Sequence, residues 1–183
     1  ETEKKRFFET DEFYFEAEKM THSIICNAYS FIKKGQIRIN KKKLKKLKNL
    51  SIPNIKKLKQ GKNILHNGKK YLAKNLTFME NDKKVSFILD TSINNKIHKF
   101  AENSDVLICE STFHSEHELD ARKKKHLTAK QAGIIAKKSK SKQLFLTHIS
   151  QRYEKDLKKI LDDAKRVFKN VSIAKDLEII EIK

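Results

Sequence analysis

The sequence predicts an α/β protein, in which the strands of a sheet alternate with helices. Short apolar runs occur at residues 85–89, 105–109 and 143–147, and each has the length of a buried strand. Helical patterns lie between and after these runs, at residues 94–103, 128–138 and 154–168. At 183 residues one domain is the default expectation, although half of a larger domain would satisfy the same length.

The remaining elements follow from local signals. Phe13, Phe15 and Ala17 alternate along the chain as the inward positions of a half-buried strand do. Thr128 suits the N-cap of a helix, and Gln131 three residues later completes a capping box. Further strands are predicted at residues 23–32, 76–79, 171–174 and 177–182.

The composition predicts a polyanionic partner. Forty-two Lys and Arg residues against twenty-three Asp and Glu give a formal net charge of +19, which is typical of proteins that bind nucleic acid. Cys26 and Cys109 lie in apolar runs, so we expect two small core residues in a reducing compartment and no disulfide. No signal peptide is recognisable and no apolar run approaches the roughly 20 residues of a membrane span, so we expect a cytoplasmic protein.

The positive charge is concentrated in one segment. Residues 19–74 contain seventeen Lys or Arg residues and no Asp or Glu. Within this segment Leu44, Leu47 and Leu50 fall on one face of a predicted helix, and a short second helix is predicted at residues 55–59, before an Asn67-Gly68 turn suited to a hairpin. The other faces of the first helix carry Lys41, Lys42, Lys43, Lys45 and Lys46. A solvated basic face and a membrane-surface helix are alternatives to RNA binding, but the apolar stripe has no Trp or Phe to anchor it in a membrane.

Three polar residues follow strand-like runs and could bind a metal ion. His22, Asp90 and His148 offer two imidazoles and a carboxylate, which are donors that Zn²⁺ accepts in proteins. Polar side chains at the carboxyl ends of strands lie at the rim of a sheet, where α/β proteins build their sites. The alternative for each residue alone is a cap or a satisfied polar group at the strand end.

Four segments together resemble ribonuclease Z, the metallo-β-lactamase-fold endonuclease that matures tRNA 3′ ends. The resemblance runs from about residue 12 to the end and is densest between residues 85 and 153. The segments are Met20-Thr21-His22-Ser23-Ile24 with the following Ala28-Tyr29-Ser30-Phe31, Val106-Leu107-Ile108-Cys109-Glu110-Ser111-Thr112-Phe113, Lys125-His126-Leu127-Thr128-Ala129-Lys130-Gln131-Ala132, and Leu146-Thr147-His148-Ile149-Ser150-Gln151-Arg152-Tyr153.

This resemblance implies roles for particular residues in a site with two zinc ions. Asp90 would bridge the two ions, while His22 and His148 would each complete the shell of one ion. Glu110 and His126 resemble the paired carboxylate and imidazole that donate a proton to the departing ribose oxygen. Arg152 would contact a backbone phosphate, or it is only an arginine at the start of a helix. Cys109 stands where the family usually has His, and His114 and His117 lie in a variable loop that we expect to be solvent-exposed.

The resemblance also implies a fold and partners. The chain would be the C-terminal half of a metallo-β-lactamase-like αβ/βα sandwich, with residues 33–74 as a basic arm that clamps precursor tRNA. The family's His-x-His-x-Asp-His motif, which supplies most of the zinc ligands, is not found in these 183 residues. We therefore expect an N-terminal half chain as a partner, and a dimer of the completed enzyme. The alternatives are a non-catalytic RNA-binding half-fold and another hydrolase of the metallo-β-lactamase fold, although a small substrate would need no basic arm.

Overall fold

The computed structural model describes residues 5–47 and 49–182, with Lys5 by its backbone only. These residues form two compact units. The first unit contains the described residues up to Lys33 together with those from Lys83 onward, and the second unit is Lys34–Asp82. The second unit contains nearly all of the segment predicted to be an arm.

Strands and helices alternate through much of the described chain. The strands are β1 (Lys5–Glu9), β2 (Phe13–Lys19), β3 (Asn27–Lys33), β4 (Ile37–Ile39), β5 (Ile64–His66), β6 (Lys69–Tyr71), β7 (Thr77–Met79), β8 (Lys83–Ile88), β9 (Val106–Glu110), β10 (Gln143–Thr147) and β11 (Val171–Ile173). The helices are α1 (Lys41–Leu44), α2 (Ile52–Lys59), α3 (Ala73–Leu76), α4 (Ile97–Phe100), α5 (Glu118–Lys124), α6 (Ala129–Lys138) and α7 (Leu157–Lys165). Across the described residues, no helix has the length and apolar character needed to cross a membrane.

The first unit is built on a seven-stranded mixed sheet. Its strands have the order β1-β2-β3-β8-β9-β10-β11. Strands β1, β2, β3 and β8 pair antiparallel, whereas β8, β9, β10 and β11 pair parallel. The carboxyl ends of β8, β9 and β10 therefore meet at one edge. Strand β2 is two antiparallel steps from β8, so it ends at that edge as well.

One face of this sheet is covered by helices. Ile88, Leu107, Cys109, Leu144 and Leu146 point to the same side and are fully buried. They share a core with apolar residues of the covering helices, namely Ile97 and Phe100 of α4, Ala132 and Ile135 of α6, and Ile160 and Ala164 of α7. Helices α6 and α7 approach closely at Gly133, where a Cβ atom would lie only 2.9 Å from the carbonyl oxygen of Ala164.

The opposite face carries a cluster of aromatic side chains on β1, β2, β3 and β8, which we call the aromatic face. The rings of Phe13 and Phe15 both pack on Phe31, with ring centres 5.4 and 5.3 Å apart. A register shift between Arg6 and Phe8 lets two successive residues of β1, Phe7 and Phe8, both contact Phe15. The members of the face are Phe7, Phe8, Phe13, Phe15, Tyr29, Phe31 and Phe87, of which Phe7, Phe8, Tyr29 and Phe87 are 38–54% exposed.

The second unit has its own small core. Two two-stranded sheets, β4 with β7 and β5 with β6, accompany helices α1, α2 and α3. The buried residues are Leu58, Ile64, Ala73 and Leu76, and Leu44, Leu47, Leu50 and Tyr71 pack against them. The predicted leucine stripe is thus on the inner side, although only Lys41–Leu44 of that segment is helical. Asn67 and Gly68 join β5 to β6 with φ values of 50° and 73°, which confirms the predicted two-residue turn.

Most predicted elements of the first unit are confirmed, but several are shorter. Strand β10 and helix α6 have the predicted bounds, and the capping box of Thr128 and Gln131 is present. Strand β3 begins only at Asn27, and helices α4 and α7 are truncated at both ends. The strand predicted at residues 177–182 is wrong, because the described residues there form no strand and Leu177 and Ile179 are exposed. Strand β1 and helix α5 were not predicted.

The start of the parallel strands depends on Asp105, which precedes β9. Its Oδ2 accepts a hydrogen bond from the Lys84 amide of β8, and its Oδ1 accepts one from Lys142 Nζ just before β10, both at 2.8 Å. Burial favours a higher pKa for this carboxyl, but the hydrogen bonds and charges of Lys142, Lys84 and Lys83 outweigh burial and hold the pKa below its usual value. Ionised Asp105 therefore stabilises the native sheet.

We expect Asp105→Asn to lower the free energy of unfolding by about 1–3 kcal/mol at pH 7, because a buried charge-assisted bond is weakened. The folded pKa lies below the unfolded one, so this contribution is present above the unfolded pKa and is lost as the pH falls through the folded pKa. Urea unfolding at pH 7 and at pH 3 measures the difference, which should shrink at pH 3. The exposed Asp176→Asn serves as the control, and an equal loss in both variants at pH 7 would contradict the assignment.

Candidate metal-binding and catalytic site

Polar side chains from three neighbouring parallel strands meet at one edge of the sheet. Asp90 lies two residues beyond β8, Glu110 is the last residue of β9, and His148 directly follows β10. His126 reaches the same place from the segment between α5 and α6. Asp90, His126 and His148 each offer a ligand atom, and these atoms all lie within 4.8 Å of one another. The structure thus brings together four of the residues singled out in the sequence.

The backbone is unusual at three positions of this edge. Asp90, Lys125 and His148 have φ values of 47°, 58° and 53°, in the left-handed region that residues with a side chain rarely adopt. Such a conformation costs about 1–2 kcal/mol per residue relative to the right-handed one. At Asp90 and His148 it reverses the chain directly after the strand, and at Lys125 it ends α5. Strain of this kind is concentrated at functional sites, where the surrounding contacts maintain it.

Glu110 is the centre of the hydrogen-bond network. Its carboxylate is fully buried and accepts four hydrogen bonds. Oε1 accepts from the Thr91 amide at 2.5 Å and from His126 Nδ1 at 3.2 Å. Oε2 accepts from the Leu127 amide at 3.0 Å and from the Thr112 hydroxyl at 2.8 Å. A buried carboxylate is costly unless it is paired, so these four donors hold their segments in place around it.

The hydrogen bonds also determine which imidazole nitrogens face the site. A carboxylate can only accept, so His126 Nδ1 carries the proton in its bond to Glu110. The Thr112 hydroxyl gives its proton to Glu110, and it therefore accepts from His148 Nδ1, 2.9 Å away. Both rings consequently present Nε2 to the site. Imidazole ligands of metal ions are usually oriented by such a bond from the other ring nitrogen.

The Asp90 carboxylate indicates a cation at this place. Its Oδ1 is buried and makes no hydrogen bond within the described structure. His148 Nε2 lies 3.1 Å from this oxygen, which meets the distance for an ion pair although no hydrogen bond forms. Two lone pairs at this separation repel each other unless a positive charge, either a proton on Nε2 or a metal ion, lies between them. Two imidazole nitrogens and a carboxylate are a donor set suited to zinc, so these residues fit a metal ion.

His22 lies beside this cluster but is not among the three converging ligands. Its ring centre is 5.0 Å from that of His126. His22 Nδ1 lies 3.1 Å from the carbonyl oxygen of Lys125, which can only accept, so Nδ1 carries the proton in this contact. The amide of Thr21 donates to Thr91 Oγ1, which joins the loop after β2 to the loop after β8. The role of His22 as a metal ligand stays a prediction.

The other predicted residues are not among the converging ligands. Arg152 belongs to a 3-10 turn after β10, where its guanidinium lies over the ring of Phe113 at 5.3 Å and its Nη1 is 4.0 Å from Asp120. The five lysines predicted to bind RNA are exposed in the second unit, at Lys41, Lys42, Lys43, Lys45 and Lys46. A phosphate-binding role for these residues stays a prediction.

Of two further side chains in the first unit, His114 differs from the prediction and Cys109 agrees with it. His114 is buried, not exposed as predicted, because its Nε2 lies 3.7 Å from the fully buried Asp163 carboxylate. Asp163 also accepts from the amides of Ser115 and Lys130, so this loop is held in the protein. Cys109 is fully buried and free, and burial raises the pKa of its thiol well above the ordinary value. It remains a neutral core residue.

Thr112 is a residue of the site that was not predicted from the sequence. It lies two residues after Glu110, so strand alternation would place it on the same side as Glu110 if the extended chain continued. That spacing was the one available signal. The bridge from Glu110 through Thr112 to His148 depends on the position of β10 beside β9, which cannot be predicted from the local sequence.

Solved structures define the class of the fold. The chain matches the metallo-β-lactamase fold protein YhfI from Bacillus subtilis with a TM-score of 0.59 and 21% identity, covering 92% of this chain and 49% of that one. It matches human short-form tRNase Z with a TM-score of 0.58 and 20% identity, covering 97% of this chain and 46% of that one. The mixed sheet with its helices is therefore part of a metallo-β-lactamase fold.

The curated relatives that the chain matches are ribonuclease Z proteins. The chain is 32% identical to ribonuclease Z from Bacillus cereus strain G9842 and 36% identical to ribonuclease Z from Bacillus thuringiensis strain Al Hakam, in each case across 97% of its length. The resemblance to ribonuclease Z seen in the sequence is thereby confirmed. The chain spans 59% of the length of these relatives. No protein-family model matches it.

The tautomer of His148 can be tested through Thr112. Thr112→Val removes the hydroxyl that accepts from His148 Nδ1, so the Nδ1-protonated form should lose its preference, while Thr112→Ser should retain it. Ring-nitrogen chemical shifts of ¹⁵N-labelled His148 report the tautomer directly. We also expect Thr112→Val to reduce zinc affinity by about 10–100-fold, which is typical for loss of an orienting partner. An unchanged His148 tautomer in Thr112→Val would show that the bridge has no orienting role.

Proposed function

We propose that this chain is the C-terminal part of a zinc-dependent endoribonuclease that removes 3′ trailers from precursor tRNA. The observation that supports this most is the convergence of Asp90, His126 and His148 around the buried Glu110, in a chain similar to ribonuclease Z over 97% of its residues. The two free cysteines and an RNA substrate suit a reducing, cytoplasmic compartment.

Asp90, His148 and His22 are the proposed metal ligands. Zinc ions bound there would lower the pKa of a water molecule and balance charge that develops on the phosphoryl oxygens. Asp90 Oδ1, which has no hydrogen-bond donor among the described residues, and His148 Nε2 present their lone pairs to the same point. His22 would complete the set from the loop after β2.

His126 is the proposed proton donor to the departing ribose oxygen. It is close enough to Asp90 and His148 to be a ligand, so the two roles must be separated. The bond from Nδ1 to Glu110 supports the donor role, because a carboxylate at one nitrogen orients an imidazole to transfer a proton at the other. Replacement of His126 by Ala should then reduce turnover while zinc binding is retained.

A second polypeptide segment is proposed to complete the fold. Asp90, His22 and His148 supply three donors, too few for two zinc ions that each require about four. The aromatic face is the proposed contact surface, because soluble proteins rarely leave a contiguous apolar patch of this kind in water. Its proposed occupant is the second sheet of the fold, from an N-terminal half that carries the His-x-His-x-Asp-His motif, packed sheet to sheet. A dimer of the completed enzyme is part of the same proposal.

We expect the 183-residue chain alone to be inactive on precursor tRNA and to bind zinc weakly. An N-terminal half carrying the motif, added in trans, should form a complex and restore cleavage at the 3′ end. Phe87→Glu on the aromatic face should abolish this complex, whereas Leu177→Glu, at a fully exposed position in the C-terminal segment, should not. Light scattering and a cleavage assay measure both. Cleavage by the chain alone, or equal complex formation by the two variants, would contradict completion through this face.

The second unit is proposed to bind the body of the tRNA. It contains fifteen Lys and Arg residues, while its acidic residues are Glu80 and Asp82. The apolar side chains Leu44, Leu47 and Leu50 pack inward, so the lysines of that segment remain available to solvent. Contacts to phosphates do not depend on sequence, which suits a protein that must accept every tRNA.

Substitutions can separate RNA binding from chemistry. Replacing Lys41, Lys42, Lys43, Lys45 and Lys46 together by Ala should weaken binding of precursor tRNA by the completed enzyme and flatten its salt dependence, because each phosphate contact contributes about 0.9 to the salt slope on a duplex. Cleavage of a small phosphodiester should be unchanged. Asp90→Ala should have the opposite effect, with turnover lost on both substrates and tRNA binding retained.

Filter binding at several salt concentrations and turnover of a chromogenic phosphodiester distinguish the two variants. If the lysine variant lost small-substrate cleavage but kept its affinity for tRNA, the second unit would be part of the catalytic structure and not a binding arm.

A further inference from the structure

A cavity of about 420 Å³ opens beside His126 in the first unit. Besides His126 it is lined by Ser92, Ile93, Glu118, Arg122, Lys125 and Gln131. Of the four residues at the centre of the site, His126 lines this cavity, whereas Asp90, Glu110 and His148 do not. The cavity therefore lies on the proton-donor side of the site, and its size is in the range of small-molecule sites.

The cationic part of the lining can bind a phosphate. Arg122 belongs to the last turn of α5, and Lys125 follows directly as its left-handed cap. Both side chains line the cavity from the end of α5, and Lys125 Nζ lies 3.5 Å from the carbonyl oxygen of His22. A guanidinium and an ammonium placed together favour a phosphate over a neutral group.

The rest of the lining offers contacts for the neutral part of a nucleotide. Gln131 Oε1 is fixed by the capping box, and Gln131 Nε2 donates to Glu118 Oε1 at 3.3 Å, so an amide and a carboxylate are held side by side. Such a pair can donate to and accept from a base edge or a ribose hydroxyl. Ile93 is 53% exposed and supplies an apolar wall.

We propose that this cavity is the binding site for the nucleotide whose ribose oxygen departs during cleavage. The proposal rests on the proposed function, because it takes His126 as the donor to that oxygen. A nucleotide in the cavity would place its ribose next to His126, its phosphate against Arg122 and Lys125, and its base against Ile93 with Glu118 and Gln131. An amide and a carboxylate beside two cations match a nucleotide better than a free anion.

Binding to the 183-residue chain itself tests the site without any cleavage. We expect adenosine 5′-monophosphate to bind at least tenfold more tightly than inorganic phosphate in calorimetric or NMR titrations, and to shift the side-chain amide signals of Gln131. Arg122→Ala should weaken the nucleotide at least fivefold. Lys123→Ala is the matched control, since it removes the same charge from the next position of α5 without altering the lining, and its effect should stay within twofold.

Thermal unfolding of both variants is the check that they fold as the unchanged chain does. Equal affinity for phosphate and nucleotide, the same loss in Lys123→Ala as in Arg122→Ala, or no detectable nucleotide binding would overturn the proposal. If Arg122→Ala fails to fold, Arg122→Lys replaces it, since the loss of the planar guanidinium fork should still weaken the nucleotide severalfold.

A second measurement separates this proposal from the proposed function. In the completed enzyme, Arg122→Ala should raise KM for precursor tRNA about fivefold or more with a smaller change in kcat, and Lys123→Ala should not. If no completed enzyme cleaves precursor tRNA, the proposed function fails, and the binding experiment still decides whether the cavity binds a nucleotide. If cleavage occurs and Arg122→Ala behaves as Lys123→Ala in both assays, the cavity proposal fails and the function stands.

Discussion

The buried carboxylate of Glu110 is the interaction on which the site depends. A charge without solvent exposure is tolerated only when donors surround it, and here four donors come from the segments around the cluster. The Thr91 amide fixes the loop that carries Asp90, and Thr112 reaches His148. His126 and Leu127 fix the segment between α5 and α6. The desolvated charge of Glu110 therefore holds three loops that are far apart in sequence in place. It also determines the tautomers of His126 and His148.

The sheet topology makes this arrangement possible. Parallel pairing of β8, β9 and β10 brings their carboxyl ends to one edge, and two antiparallel steps bring the end of β2 to the same edge. The left-handed residues Asp90, Lys125 and His148 then turn the chain sharply enough for the side chains to face each other. The cost of these conformations is offset by the network around Glu110 and by the core beneath it, which is rigid because it is closely packed.

The two faces of the sheet differ in how far they are covered. One face is covered by α4, α6 and α7, and its core is complete within the described residues. The other carries the aromatic face, whose rings contact each other but remain partly exposed. The chain spans 59% of the length of its relatives, and an apolar sheet face of this kind is the surface on which a second layer packs in sandwich folds. The second unit also buries its apolar side chains, around Leu58, and exposes basic side chains to solvent.

Local sequence determined much of this protein. The strand at residues 143–147, the capping box of α6 and the Asn67-Gly68 turn are encoded by neighbouring residues, because propensity, capping and turn geometry act over a few positions. The motif resemblance also identified Asp90, Glu110, His126 and His148, and the structure brings them together. These predictions needed no knowledge of distant contacts.

Only the tertiary structure decided the rest. Residues 177–182 have an apolar pattern but pair with no strand of the described structure and leave Leu177 and Ile179 exposed, whereas β1 pairs antiparallel with β2. His114 is buried because Asp163 lies beside it, and His22 faces His126 because β2 and β8 end together. The Thr112 bridge and the cavity lined by Arg122 and Lys125 also join segments far apart in sequence. Pairing, burial and charge neutralisation are long-range interactions, and a single sequence specifies them only through the folded chain.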